Sequence, residues 1–402
     1  MKILVTADWH IGKKLHNQDL SADIHLFFQW LLNTIVSERI SYLLIAGDIF
    51  DSSNPSNEAT RQYYTFLKEL KRIECKAIII AGNHDSPSFI DVPKELLTEF
   101  DIHVFGLFPG IEHVDKIFVP LKNEQNAEVA VVAAIPFLQD RFIRQVGEGE
   151  GAKEIAEKIK QGMKTVFMQI GAALKESYPS IPKIGIAHLH AQGTQINDAE
   201  RDIQIGNQEG IPSDDLNQFD YLALGHIHTG QTIIKGKIQY ASSPINLSFS
   251  ENRYNHKVII LEIDNNQIKE SELAVPKFRS LYQIEGTLND VEEKVKQLKN
   301  KYQLQALLDI KIIEENYDPL IIERLDALKI HLSTDDKLKI VQHRINYTNN
   351  LANRFSSTYN TNALEDLKPE KVFKDLIINR EEQEQKKLLE LFTTLYSDLN
   401  NA

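Results

Sequence analysis

The sequence predicts an α/β protein whose sheets are buried on both faces. Three observations carry that expectation. Short runs rich in Val and Ile recur, and most are apolar at successive positions rather than alternating. Amphipathic helical patterns lie between them. Carboxylates and imidazoles stand where several of the runs end.

In chain order the strand-like runs are ILVTA (3–7), YLLIA (42–46), KAIIIA (76–81), VAVVAAI (129–135), KIGIAHL (183–189) and YLALG (221–225), with IQYASS and HKVIILEI beyond them. SADIHLFFQWLLNTIVSER predicts a helix capped by Ser21, with Ile24, Phe27, Phe28, Leu31, Leu32 and Ile35 on one side. Residues 152–176 predict a second long amphipathic helix. The pattern fits two stacked sheets as well as one open sheet.

Pro276 marks an expected boundary. After it, SLYQIEG, LLDIKIIEE and KLKIVQHRI alternate with helical NDVEEKVKQLKNK and PLIIERLDALKI, a β-α-β-α-β module with its own small core. A polar stretch reads as a linker over 351–367, and 368–402 returns to helix. Leu388, Leu389, Leu391, Phe392 and Leu395 form an apolar stripe there that needs a surface to pack on. The expected domains are thus 1–275, 276–350 and the tail 368–402.

Composition narrows the function classes. Of 402 residues, 42% are hydrophobic and 25% charged, an ordinary globular mixture. No apolar stretch is long enough for a membrane span. The lone Cys75 excludes an intramolecular disulfide, and the chain reads as lacking a signal peptide, so a cytoplasmic location is expected. The net charge of -12 argues against a broad basic surface for nucleic acid. A local basic patch, a metal-screened site or a cationic partner stays compatible with it.

Five segments place metal-competent side chains at strand ends: ADWH (Asp8, His10), AGDIFD (Asp48, Asp51), AGNHD (Asn83, His84, Asp85), AHLH (His188, His190) and LGHIH (His226, His228). Ligands at the carboxyl ends of strands converge in one crevice. Each residue alone also reads as a turn former or a core histidine, but that reading would have to hold at five strand ends at once. The set mixes carboxylates, imidazoles and a carboxamide without a thiol, which suits Mn²⁺, Fe²⁺ or Zn²⁺. It is too large for one tetrahedral zinc and suits two ions sharing a carboxylate, an arrangement that activates water and clamps a phosphate.

Asp8-Trp9-His10, Gly47-Asp48, Gly82-Asn83-His84-Asp85 and Gly225-His226-Ile227-His228, in this order, resemble the calcineurin-like metallophosphoesterase superfamily. Within it, the MKILVTADWHIGKKL opening, GDIFDSSNPS and ASSPINLSFSE resemble the Mre11/SbcD nuclease subunits, the bacterial SbcD form most closely. The resemblance implies a four-layer α/β sandwich, two central mixed sheets flanked by helices, with a small α+β capping domain and C-terminal helices. It implies two divalent ions, Mn²⁺ first, with Mg²⁺, Fe²⁺ or Zn²⁺ as alternatives. Asp8, His10 and His228 would hold one ion, Asn83, His188 and His226 the other, and Asp48 would bridge. His84 would act on the scissile phosphate, with Asp85 orienting it.

His190 either faces the site or flanks it, and Asp51, an anion that cannot donate to a phosphate, reads as shaping its loop or accepting from a neighbour. Arg61, Arg144 and the hydroxyls of 241–252 are candidate DNA contacts. The implied activity is 3′→5′ exonuclease on duplex ends and endonuclease on single-stranded or hairpin DNA, in repair, recombination and replication. The implied partners are DNA, a second copy of the chain through helices in 55–100, and an ATPase subunit of the SbcC/Rad50 type docked on the tail, together a heterotetramer found in the cytoplasm or on the nucleoid. The rival readings are a general phosphodiesterase for small esters or nucleotides, and a non-catalytic scaffold.

Overall fold

A computed structural model describes residues 1–143, 151–195, 210–316, 318–334, 337–348, 373, 374, 377 and 380–400. Two six-stranded sheets form its core. The first runs, in spatial order, Gln267–Ala274, Lys257–Asp264, Lys2–Thr6, Tyr42–Ala46, Lys76–Ile80 and Ile102–Phe105. Its last four strands are parallel, and the Lys257–Asp264 strand is antiparallel to both neighbours. The second runs Thr232–Ile234, Ile238–Tyr240, Tyr221–Gly225, Lys183–His188, Glu128–Ile135 and Phe118–Lys122, with four parallel strands inside antiparallel edges.

Strand alternation separates the layers. Ile3, Val5, Tyr42, Leu44, Ile78 and Ile80 join a cluster that also holds the second sheet and the helix Ala152–Ser177. Leu4, Leu43, Ile45, Ala77 and Ile79 point the other way, onto the helices Ser21–Glu38 and Asn57–Arg72. Both faces of each central strand are thereby apolar, which is why the runs read as continuous. The architecture is the α/β sandwich of two mixed sheets flanked by helices, with a smaller three-stranded sheet, Leu281–Gly286, Ala306–Glu314 and Leu338–Tyr347, and helices beyond it.

Packing divides the chain into two compact units: residues 1–283 with 299–309 and 335–342, and the remainder. The second unit includes the helices Leu288–Gln297, Pro319–Ser333 and Glu382–Asn400. Thr287 caps the first of them with a reciprocal Asp290 capping box. No helix among the described residues is long and apolar enough to cross a membrane.

One expectation at a helix start is corrected. Ser21 is the first helical residue, not the cap, and Leu20 occupies the cap position without a capping side chain. The Ser21 N–H donates instead to Asp19 Oδ1 at 2.7 Å. The short hairpin Lys14–Leu15 and Gln18–Asp19 presents that carboxylate two residues early.

Trp9 anchors the first site loop. It is fully buried against Phe27, Phe28 and Phe66, and its indole N–H donates to Thr6 Oγ1 at 3.0 Å. Trp9→Ala should cost about 3–5 kcal/mol by emptying that space. A lowered urea midpoint at unchanged slope is the expected result.

Candidate metal centre

Parallel strands deliver the candidate residues to one edge. Lys2–Thr6, Tyr42–Ala46 and Lys76–Ile80 lie side by side and lead into Asp8 and His10, Asp48, and Asn83 and His84. Lys183–His188 and Tyr221–Gly225, adjacent in the other sheet, supply His188, His226 and His228. The first loops are stitched together: Asp8 N–H donates to the Gly47 carbonyl at 3.0 Å, and His10 N–H to the Asp48 carbonyl at 3.0 Å. Asp8, His10, Asp48 and His226 all have positive φ (53°, 45°, 50° and 99°). Such conformations cost on the order of 1–3 kcal/mol each and persist where the surroundings impose them.

The side chains converge on Asp48. Its Oδ2 lies 3.5 Å from His10 Nε2 and 3.3 Å from His188 Nε2, and its Oδ1 accepts from the His84 backbone N–H at 2.9 Å. On one side stand His10, His84 and His228, with the His10 ring 4.8 Å from His84 and 4.9 Å from His228. On the other side Asn83 Oδ1 lies 2.9 Å from both His188 Nε2 and His226 Nδ1. Asp8 Oδ1 accepts from the His226 backbone N–H at 2.9 Å and lies 3.9 Å from His188 Nδ1. His10, Asp48 and His84 form one compact group of potential ligand atoms; Asp48, His188 and His226 form the other.

Burial and mutual charge set the protonation states. Burial would raise the Asp48 carboxyl, but His188, then His10 and His84, hold it well below the ordinary carboxylate value. Burial would lower His188, yet Asp48 and Asp8 raise it to about 9. Asp8, buried beside Asp48, is raised to about 7. Burial pushes His10 down to about 4 and His226 to about 3. The cluster thus holds protons at neutral pH on His188 and partly on Asp8.

These residues fit a pair of divalent cations. Asp8 Oδ2 is buried without a hydrogen-bond partner among the described residues, and the buried His10 ring makes only long approaches, to Asp51 Oδ1 at 3.3 Å and Asp48 Oδ2 at 3.5 Å. The glycines leave room for the ligands. A Cβ on Gly82 would fall 2.1 Å from Asp48 Oδ1, and one on Gly47 2.3 Å from His188 Nδ1. The donors are nitrogen and oxygen only, as hard or borderline ions require.

The protonation states make metal binding pH-dependent. Ligands must shed protons to bind a cation, so loading at pH 7 should release about one to two protons, from His188 and in part Asp8. Affinity should rise from pH 7 toward 9, as His188 loses its proton, and level above it. Calorimetry of Mn²⁺ binding in buffers of different ionisation enthalpy measures the release. No proton release at pH 7 would contradict these assignments.

Other expected residues sit differently. Asp85 does not reach the His84 ring. Its buried carboxylate accepts the backbone N–H groups of Ile49 (3.1 Å), Phe50 (2.9 Å) and Gly82 (2.8 Å), so it braces the Asp48 turn. His84 Nδ1 bonds instead to the Asp51 carbonyl at 2.9 Å. The Asp51 carboxylate lies 3.0 Å from Lys13 Nζ and 3.3 Å from His10 Nδ1. His190 is buried, with Nε2 on Thr194 Oγ1 at 2.8 Å. Ser242 and Ser243 are buried, with hydroxyls donating to the Lys257 and Ile245 carbonyls, so they offer nothing to a DNA strand. Arg61 is exposed on its helix and paired with Glu58 at 2.9 Å; Arg144 lies outside the described residues.

Sequence reasoning missed Glu251. This carboxylate is fully buried and accepts from His228 Nδ1 at 3.0 Å. A lone Glu in SFSEN gave no periodic or spacing signal.

A two-sheet sandwich with two adjoining groups of potential N/O metal ligands at the strand ends fits a calcineurin-like phosphoesterase. That family matches residues 1–230, and the chain belongs to it. The family described as type 5 capsule protein repressor C-terminal domain matches residues 277–396. Along its whole length the chain is similar to the SbcD subunit of the SbcCD nuclease of Escherichia coli K12, 29% identical over 403 residues covering 98% of this chain and 97% of the relative. The corresponding SbcCD nuclease subunits of Rhodobacter capsulatus (33% identical, 65% of this chain, 66% of the relative) and Bacillus subtilis (31%, 65% and 66%) are also similar. The chain is thus a member of the calcineurin-like phosphoesterase family that is similar to SbcD subunits.

Proposed function

We propose that the chain is the nuclease subunit of an SbcCD-like complex and hydrolyses DNA phosphodiesters with two divalent cations, Mn²⁺ being the working ion. The proposed actions are 3′→5′ trimming of duplex ends and endonucleolytic cleavage of single-stranded or hairpin DNA. The observation that carries the reading is Asp48 Oδ2, set between His10 of one ligand group and His188 of the other. In this reading Asp8, His10 and His228 hold one ion, Asn83, His188 and His226 the second, and Asp48 both. Bound there, the cations would polarise the phosphodiester and acidify a water.

The chain's own residues orient and move protons. A carbonyl only accepts, so the Asp51 carbonyl fixes the hydrogen of His84 on Nδ1. Nε2 is then the atom that takes and gives a proton, suited to protonating the leaving oxygen. Asp85 keeps the Asp48 turn in shape through three backbone bonds.

The region after Pro276 is proposed to cap the DNA, and the tail to dock an SbcC-like ATPase subunit whose ATP cycle controls access. The tail helix Glu382–Asn400 supports this reading by exposing Leu391, Leu395 and Tyr396. A cationic partner also accounts for activity on DNA by a chain of net charge -12. Assembly as a dimer of nuclease subunits with two ATPase subunits, in the cytoplasm and on the nucleoid, completes the proposal.

The test combines the purified chain, its ATPase partner and Mn²⁺ with end-labelled duplex, a DNA hairpin and a small phosphodiester. Nicking of the hairpin tip and shortening of the duplex are expected. Turnover of the small ester alone would reassign the substrate, and no turnover of any of them would leave a scaffold.

A further inference from the structure

Outside the ligand set, a fully buried carboxylate touches it directly. Glu251 is 0% exposed, and no lysine or arginine stands within salt-bridge distance of it among the described residues. An ionised carboxylate in such a place is costly unless its oxygens are satisfied. Both are. Oε1 accepts from His228 Nδ1 at 3.0 Å, and Oε2 accepts the Leu247 backbone N–H at 2.8 Å. The segment is tied to the same histidine a second time, since the Ser243 N–H donates to the His228 carbonyl at 2.9 Å. Ser243 Oγ in turn donates to the Ile245 carbonyl at 3.0 Å.

We propose that Glu251 is a positioning residue for the metal centre: it fixes the tautomer and rotation of His228, leaving Nε2 as the coordinating atom, and it couples the 243–251 segment to that ring. The inference rests on the two-metal reading above and goes beyond it. A carboxylate accepts only, so the hydrogen of the neutral ring must sit on Nδ1. The same hydrogen bond raises the basicity of the opposite nitrogen and removes the entropy of ring rotation before a cation arrives. Because the second oxygen holds Leu247, the ring and the segment cannot shift independently. The other histidines are held differently: His188 Nδ1 lies 2.9 Å from the Ala46 carbonyl, His226 Nδ1 faces the Asn83 carboxamide, and His10 Nδ1 lies 3.3 Å from the partly exposed Asp51 carboxylate. Among the described ligands, His228 is the one braced by a buried carboxylate from outside the cluster.

Glu251→Gln tests this with the shape of the side chain kept. Gln offers one acceptor oxygen where two donors need one each, so either His228 or Leu247 loses its partner. The readouts are calorimetric Mn²⁺ binding, resolved into two equivalents, and long-range ¹H–¹⁵N spectra of the His228 ring in the metal-free, histidine-labelled protein. The expected result is one equivalent weakened about 10- to 100-fold, the other near wild type, and a changed His228 tautomer. Glu251→Ala should weaken the same equivalent at least as much. Two unchanged affinities with the His228 hydrogen still on Nδ1 would overturn the assignment. So would equal weakening of both equivalents with the tautomer unchanged, which is the signature of a loosened segment alone. A wild-type chain that binds no Mn²⁺ would instead overturn the two-metal reading and this proposal with it; normal wild-type binding with an unaltered variant would remove only Glu251.

Discussion

Asp48→Asn should strip the protein of bound metal and of hydrolysis together while leaving the fold intact. The residue is 1% exposed, and its Oδ2 is within 3.5 Å of ring nitrogens from both ligand groups. Asn keeps the shape and can still accept the His84 N–H, so the turn survives. It loses the negative charge that the proposed pair of cations requires between them. The drop in affinity should exceed the about 10- to 100-fold typical of changes outside the ligand set, and it should affect both equivalents. Metal analysis after dialysis, alongside circular dichroism, measures it. Retention of two equivalents would remove Asp48 as the shared ligand.

His84→Gln should separate chemistry from metal binding. His84 stands close to His10 and Asp48, near enough to be a ligand itself, and its ring is tethered by the Asp51 carbonyl. If it moves a proton rather than holding an ion, the rate should fall about 10²–10⁴-fold. Metal content and unfolding midpoint should stay at wild-type values. Loss of one metal equivalent in parallel with activity would make His84 a ligand and leave the proton transfer to another group.

Much of this is legible in the residues, for definite physical reasons. The strands YLLIA and YLALG coincide with the observed Tyr42–Ala46 and Tyr221–Gly225, because a strand buried on both faces is written as an uninterrupted apolar run. Asp8, His10, Asp48, Asn83, His188, His226 and His228 stand out because parallel strands deliver the residues just beyond them to a common edge. Periodicity leaves one sheet or two undecided. Ile3 and Leu4 look alike in sequence, yet they face different layers. Partnerships between distant residues do not show. Proximity along the chain suggests that Asp85 orients His84, whereas the carboxylate turns back onto Gly82 and across to Ile49 and Phe50. Glu251 approaches His228 across 23 residues, and Ser242 and Ser243, in the stretch expected to contact DNA, turn their hydroxyls onto the Lys257 and Ile245 carbonyls.

The ligands come from both sheets, the earliest at residue 8 and the latest at residue 228. Five of the seven candidate ligands precede the strand Tyr221–Gly225, and His226 and His228 follow it, so a fragment cut short before that strand lacks two of them. Under the proposed function, hydrolysis requires both sheets to have folded first.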